Sequence, residues 1–377
     1  MAGVYVVSDN ILSPVGLTTA GNFEQLKKGV SGISRHHQIA FADDPFYAAL
    51  FNADAEFIED SDYLYTKFEQ LLIASITDAL KNCSVDPVDK KTALIISSTK
   101  GNIGLLETEV STASLQNRIS LPASAKLVAD YFGFVNQPLV ISNACISGIM
   151  GMITGTRLIQ SGQYENVVVA GADVITKFIL SGFQAFQAIS PLPCKPFDVN
   201  RDGITLGEGA ATVILSAIPN TPEAIKVMGG AVSNDANHIS APSRTGAELG
   251  YAITKTLGQA GLSVNDIGFI SAHGTATLYN DEMEAKAIAL AGLQTVPVNS
   301  LKGYYGHTLG AAGLVESIIS MQSLREGVVI PTLGFEKIGV SDPINICTDL
   351  LHGNFTNCLK TASGFGGCNA AVVFGKA

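Results

Sequence analysis

The sequence predicts a layered α/β protein built of two similar halves. Three observations carry that reading. Runs suited to strands buried on both faces alternate with helical segments. The order of these elements partly repeats after residue 218, and two glycine-rich helices hold equivalent places in the two halves. Unbroken aliphatic and β-branched runs mark strands covered by helices on both sides, rather than strands with one wet face.

In chain order, VYVVS near the start is the first strand. A helix follows over 65–82, where Phe68, Leu72, Ile76, Ala79 and Leu80 keep roughly helical spacing. TALIISS (92–98), PLVIS (138–142), NVVVAGA (166–172) and ATVILSA (211–217) complete the strands of the first half. IPNTPEAI (218–225), with two prolines and an asparagine, marks a break that divides the chain into 1–218 and 219–377. Beyond it NDIGFISA (265–272) and TVPVNS (295–300) read as strands, and NAAVVFGKA closes the chain much as AATVILSA closes the first half. VISNACISGIMGMITGTRLI and VNSLKGYYGHTLGAAGLVESI share one design: a strand end, a polar turn, then a helix with glycine every three or four residues. Each such glycine costs a helix about 0.5–1 kcal/mol against alanine. Repeated at helical spacing, they imply that another backbone passes close, so the two helices are expected to pack together at the centre.

The 377 residues are 47% hydrophobic and 15% charged, enough for an extensive core and a subunit interface besides. A net charge of −10, with no basic tract, argues against nucleic acid as a partner while leaving room for a local basic patch. MAGVYVVSDN has no basic segment followed by an apolar one, so no secretory signal is expected. No stretch approaches the ~20 apolar residues of a membrane span. The longest candidate, 144–160, is interrupted by Ser147, three glycines, Thr154 and Arg157 and reads as a buried helix. Cytoplasmic localisation is the expectation. The cysteines at 83, 145, 194, 347, 358 and 368 form no C-x-x-C pair and have no histidine at zinc-finger spacing, so free thiols and no metal are expected.

Cys145 falls where a strand hands over to the start of a buried helix. Unpaired N–H groups there favour a thiolate and supply donors for an oxyanion. Alone, the cysteine is better explained as a small apolar thiol in a core turn. But His273 directly follows a buried strand in SAHGTATLYNDEMEAKAI, and Lys302 and His307 stand at the head of the second glycine-faced helix in NSLKGYYGHTLGAAGLVES. Reactive side chains gathered at the carboxyl ends of buried strands lie where open α/β sheets place their sites. Asp198, Arg201, Asp202 and Glu208 in PFDVNRDGITLGEGAA read as a turn network bracing those loops rather than as a metal or phosphate site. His36, His37 and His352 have no reactive neighbour, and His238 reads as a brace.

The order of motifs SPVG (13–16), KKGVSGI (27–33), NACISG (143–148), KPFDVNRDGITLGEGAA (195–211), SNDANHISAP (233–242), HGTATLYNDEMEA (273–285), KGYYGHTLGAAG (302–313) and SGFGGCNAAVVF (363–374) resembles the elongating β-ketoacyl-[acyl-carrier-protein] synthases of the thiolase superfamily. The resemblance implies a thiolase-like fold, two βαβαβαββ halves stacked as α/β/α/β/α layers. It implies decarboxylative Claisen condensation of a Cys145-bound acyl group with malonyl-acyl carrier protein. His273 and His307 would polarise the malonyl thioester carbonyl, and Lys302 and Glu316 would hold them. The backbone N–H groups of Cys145 and Phe365 would form the oxyanion hole, with Phe365 also the gate. Thr275 and Thr277 would meet the carrier's phosphopantetheine, which arrives on the carrier and is no resident cofactor. Implied partners are acyl carrier protein and a second subunit, a homodimer or a heterodimer with a chain-length-factor-like chain. Lys67, Lys126 and Arg201 are candidates for docking the acidic carrier. A plain thiolase is disfavoured because Cys368 stands one step past the two glycines of its segment. Two alternatives remain open at this point: a decarboxylase or thioester hydrolase, and a silent partner subunit, which would lack the nucleophilic cysteine. The departures at 41–60 and 107–132, at SSTKGN (97–102), and Ala276 and Leu278 in place of the more usual glycine and proline, suggest a specialised polyene or polyketide-like pathway.

Overall fold

The computed structural model describes residues 3–37, 42, 44–58, 65–110, 112–219, 221, 224–236 and 241–377. Its first half runs β1 (Tyr5–Leu12), α1 (Lys67–Lys81), β2 (Thr92–Ser97), α2 (Leu121–Phe132), β3 (Leu139–Ile141), α3 (Ser147–Gln160), β4 (Asn166–Asp173), β5 (Gly209–Ser216). The second runs β6 (Ile225–Asn234), α4 (Ala247–Ala260), β7 (Phe269–Ser271), α5 (Leu278–Leu290), β8 (Pro297–Asn299), α6 (Ala312–Glu326), β9 (Asn357–Gly364), β10 (Cys368–Lys376). The strand orders are β3-β2-β4-β5-β1 and β8-β7-β9-β10-β6, the same topology used twice, with the short strand Asn345–Ile346 added at the edge beside β8. In each half the strands that lead into the site pair in parallel, whereas the last two and the first pair antiparallel. A short antiparallel pairing, Tyr5 with Lys226 and Val6 with Ile225, joins the two into one continuous sheet.

Alternation along each strand divides its side chains between two apolar layers. Val167 and Val169 of β4 and Val372 and Phe374 of β10 point inward to Ile149, Ile153, Leu314 and Ile318 of α3 and α6. Val168 and Ala170 point outward to Leu72 and Ile76 of α1 and Val128 of α2. On the far side Ile270 and Val373 meet Ile253 of α4 and Ile288 of α5. The result is the predicted α/β/α/β/α stack. α6 is buried on nearly every side, which is why its sequence shows no amphipathic stripe. α1 begins at a capping box, in which the Thr66 hydroxyl accepts from Glu69 N and the Glu69 carboxylate accepts from Thr66 N.

The glycines of α3 serve two surfaces. A Cβ on Gly148 would lie 2.9 Å from Leu314 N and 3.0 Å from Gly310 O, and one on Gly313 would lie 2.9 Å from Ile149 N. These two glycines let α3 and α6 touch backbone to backbone, as expected. Gly151 and Gly155 instead let α3 settle on its own sheet, against Val169, Val167 and Leu215. Lys302 and His307 do not head α6 directly. Lys302 opens a single helical turn, Lys302–Tyr305, the chain kinks at Gly306 (φ 65°), and α6 starts only at Ala312.

Candidate active site

Between β3 and α3 the chain turns through Asn143 and Ala144. Ala144 adopts φ 43°, a left-handed conformation that a side-chain-bearing residue keeps only when its surroundings enforce it. Ser147 supplies that constraint: its hydroxyl donates to Ala144 O at 2.6 Å and accepts from Asn143 N at 2.8 Å. Cys145 is thereby set at the mouth of α3, 7% exposed, on a cavity of about 280 Å³. The β9–β10 turn crosses so close that a Cβ on Gly364 would sit 3.0 Å from Cys145 N. The next residue, Phe365, aims its backbone N–H at the Cys145 sulfur.

His273 follows β7. Glu284 of α5 accepts from His273 N and Gly274 N, each at 2.8 Å, and from the Thr361 hydroxyl at 2.6 Å. Asp281, one helical turn earlier, accepts from Thr275 N at 2.9 Å, Ala276 N and Phe197 N. Ala276 takes φ 64°, which gives the physical reason a glycine suits that position, and Asp281 holds the turn despite the Cβ. The His307 segment is strapped to Thr205–Gly207: His307 N donates to Thr205 O at 2.6 Å, and Gly207 N donates to His307 O at 3.1 Å. Asp173, at the end of β4, accepts from Gly310 N at 2.6 Å and from Ser98, Thr99 and Lys100, tying the two halves together beside the site.

One nitrogen of each imidazole and the Cys145 sulfur all lie within 4.8 Å of one another. The rings stand edge to face, centroids 5.1 Å apart. His307 Nδ1 accepts from Leu309 N at 3.2 Å, so in the neutral ring the proton sits on Nε2. His273 Nδ1 faces the Lys302 ammonium at 3.5 Å, a group that only donates, which assigns the same tautomer. Burial, then the Lys302 and Lys360 charges, hold both imidazoles well below the ordinary histidine range and keep them neutral. Lys302 donates to His273 O at 2.9 Å and pairs with Glu316. Among the described residues these three donors form the one His, Cys or acidic cluster tight enough to be considered for a metal. The Nδ1 contacts of both rings leave their Nε2–H groups as hydrogen-bond donors.

The helix mouth does not leave a resting thiolate. Burial pushes the Cys145 thiol up to about 12, with Cys368 adding to the rise, and Lys302 and the Phe365 N–H only partly oppose it. Burial likewise pushes Asp173 and Asp281 up to about 6, against the hydrogen bonds each accepts.

The remaining predicted residues divide. Thr275 and Thr277 line the cavity, with hydroxyls 3.0 Å apart, and Thr277 also caps α5. Phe365 stands at the mouth, 38% exposed, against Phe183 and Phe186 with ring centroids 5.6 Å away in each case. The reading of 195–211 as a brace holds for Asp198, which accepts from Asn200, Glu336 and Lys337 N–H groups, and for Glu208, which accepts from Ile175 and Phe51 N–H groups. Asp202 accepts from Ser190 while lining the cavity. Of the docking candidates, only Arg201 is removed by its placement. Arg201 is buried and spends its guanidinium on the carbonyls of Asp198, Gly339 and Leu278; Lys67 is paired with buried Glu208 at 2.7 Å, and Lys126 with Asp130. His36 bonds Ala48 O, His352 lies in a two-residue strand, and His238 falls outside the described residues. Asp173, Asp281, Glu284 and Lys360 were not singled out from the sequence. The acidic pair at 281 and 284, three residues apart after HGTAT, was the one local signal available.

Residues 1–218 match the family described as beta-ketoacyl synthase, N-terminal domain, and residues 225–336 the family described as beta-ketoacyl synthase, C-terminal domain. The chain belongs to the β-ketoacyl synthase family. This ketosynthase is 29% identical over 412 residues to 3-oxoacyl-[acyl-carrier-protein] synthase 2 of Vibrio cholerae, covering 98% of each chain. It is 27% identical to the putative mitochondrial 3-oxoacyl-[acyl-carrier-protein] synthase of Schizosaccharomyces pombe, covering 82% of this chain and 81% of that one. Its structure superimposes on a chain of the complex of the ketosynthase ApeO with its chain length factor ApeC from Xenorhabdus doucetiae, with a TM-score of 0.87, 26% identity and coverage of 100% and 98%. The ishigamide ketosynthase/chain length factor, at 23% identity, adds the same fold with a TM-score of 0.89 and coverage of 100% and 99%. The ketosynthase is a condensing enzyme with the thiolase-like fold, and no helix among its described residues is long and apolar enough to cross a membrane.

Proposed function

We propose that this ketosynthase joins an acyl group carried on Cys145 to malonyl-acyl carrier protein, releasing CO2 and 3-oxoacyl-acyl carrier protein. The observation that carries the reading is the approach of the Cys145 sulfur and two neutral imidazoles to within 4.8 Å. In the first half-reaction the sulfur attacks an acyl thioester, the acyl carbon–sulfur bond to the carrier breaks, and the carrier leaves as a free thiol. The amides of Cys145 and Phe365 are the donors for the tetrahedral oxyanion, and the proton lost by the attacking thiol ends on the departing carrier sulfur.

In the second half-reaction the malonyl thioester oxygen accepts from the Nε2–H groups of His273 and His307. The bond to the carboxylate breaks, CO2 leaves, and its electron pair becomes the enolate. The enolate carbon attacks the acyl carbonyl, a carbon–carbon bond forms, the bond to Cys145 breaks, and the departing thiolate takes a proton from water to restore the thiol. Neutral donors held in a dry site suit a charge that appears only during reaction. Lys302, with Glu316, holds the His273 carbonyl and ring. The route needs no metal and no resident cofactor; phosphopantetheine enters on the carrier, along the wall that presents Thr275 and Thr277.

Acyl carrier protein is the proposed partner in both half-reactions, and a homodimer the proposed assembly. A heterodimer with a chain-length-factor-like subunit is the second assembly, which the ApeO–ApeC complex favours. Six free cysteines fit a reducing, cytoplasmic setting. Intact-protein mass spectrometry after incubation with a panel of acyl-carriers tests the reading. Acyl mass localised to Cys145 and absent from Cys145→Ala supports it; no acyl mass on the wild type from any carrier contradicts it and points to a silent subunit.

A further inference from the structure

Strand β9 carries a lysine at a position sealed from solvent. Lys360 is 0% exposed, and the mechanism above gives it no task. Its ammonium donates to the carbonyls of Ser271 and Ala272, at 3.1 Å each, the last two carbonyls before His273. It also lies 2.7 Å from Glu316 Oε2, while Lys302 holds the other oxygen of the same carboxylate. A buried ammonium is costly unless paired; burial lowers the Lys360 pKa, and the Glu316 and Glu284 carboxylates oppose that fall.

We propose that Lys360 is a positioning residue for the condensation: it clamps the end of β7, and so His273, and it sets a second ammonium beside Lys302 behind the two imidazoles while enolate charge develops in front of them. The proposal rests on the function given above. The titratable groups around His273 are Lys302 and His307 from the 302–307 segment, Glu316 from α6, Asp281 and Glu284 from α5, Lys360 from β9 and Cys145 at the mouth of α3. Tyr305 stands near Glu316. Glu284 and Asp281 are committed to backbone N–H groups. The charges that act on the His273 ring are those of Lys302 and Lys360, both opposing its protonation, as a protonated His307 would.

The test compares wild type and Lys360→Met, each first loaded with acyl on Cys145 and then given malonyl-carrier, with CO2 release followed against pH. Removing one cation near an imidazole inside a protein raises its pKa by about one unit. The variant should therefore load acyl groups yet release CO2 about tenfold more slowly, with the acid limb of its pH profile moved up by about one unit. A variant whose acid limb coincides with wild type, at whatever rate, overturns the proposal. Wild type that loads acyl but never releases CO2 overturns the underlying function instead. Should Lys360→Met fail to fold, nitrogen-15 NMR of histidine-labelled wild type decides. Both imidazoles should stay neutral, with the proton on Nε2, at about pH 6; a ring that titrates near the ordinary ~6.5 overturns the proposal.

Discussion

Replacing Gly148 by alanine tests whether the α3–α6 contact sets the spacing of the site. The added Cβ would lie 2.9 Å from Leu314 N and 3.0 Å from Gly310 O, whereas ordinary contact begins near 3.4 Å. Backbone atoms cannot rotate away, so the helices must part by about 0.5 Å. Overpacking of this kind costs about 1–3 kcal/mol, and alanine's better helix propensity offsets up to about 1 kcal/mol. A net loss of about 1–2 kcal/mol remains. With an unfolding entropy near 2.1 cal/mol/K per residue, that lowers Tm by about 1–3 °C for a chain of this length. Because Gly148 lies one turn from Cys145, the sulfur moves relative to His307, and condensation should slow by about tenfold, since misplacement by 1 Å costs about a hundredfold. Gly258→Ala is the control. It also lies within a helix, but its Cβ meets nothing within 4 Å, so Tm should hold or rise by about 1 °C with activity unchanged. Calorimetry and steady-state condensation rates read both variants. A Gly148→Ala enzyme that matches Gly258→Ala in stability and wild type in rate refutes the claim that backbone contact fixes the site.

Three further outcomes follow from the site. His307→Ala should still take an acyl group on Cys145 but lose decarboxylation by about 10²–10³-fold; unimpaired CO2 release contradicts its role. Alkylation of Cys145 by iodoacetamide should rise with pH through 9 without levelling, because burial pushes the thiol up to about 12; a plateau reached below pH 8 would show that the helix mouth wins over burial. The two imidazoles, held below the ordinary range when folded, refuse protons that the unfolded chain accepts near pH 6.5. Their contribution to stability is therefore present above that pH and lost below it, by about 1.4 kcal/mol per pH unit for each ring. Replacing His307 by asparagine should flatten the acid side of a stability–pH curve; an unchanged slope contradicts the assignment.

The layers and reactive side chains were legible because they depend on local signals. Buried strands read as aliphatic runs, and Cys145, His273 and His307 each follow one. The glycines at 148 and 313 revealed the central helix pair, although Gly151 and Gly155 serve the sheet instead, a distinction that periodicity cannot make. What stayed hidden depends on contacts between distant segments. Asp173 joins residues 98–100 to Gly310, and Lys360 caps carbonyls 89 and 88 positions away. A lysine flanked by Leu359 and Thr361 shows its burial only once the strand is placed. Arg201 was misread for the same reason, since a basic residue looks free until its partners are placed.

The most direct test of the central claim is a single turnover. Enzyme loaded with acyl on Cys145 and freed of carrier is mixed with malonyl-acyl carrier protein labelled in its free carboxyl, and labelled CO2 and product are counted together. One CO2 released per acyl group transferred, with a 3-oxo product two carbons longer and Cys145 restored, is the predicted result. CO2 appearing while the acyl group stays on the sulfur would contradict the account, because the carbanion would then form where it cannot reach the thioester.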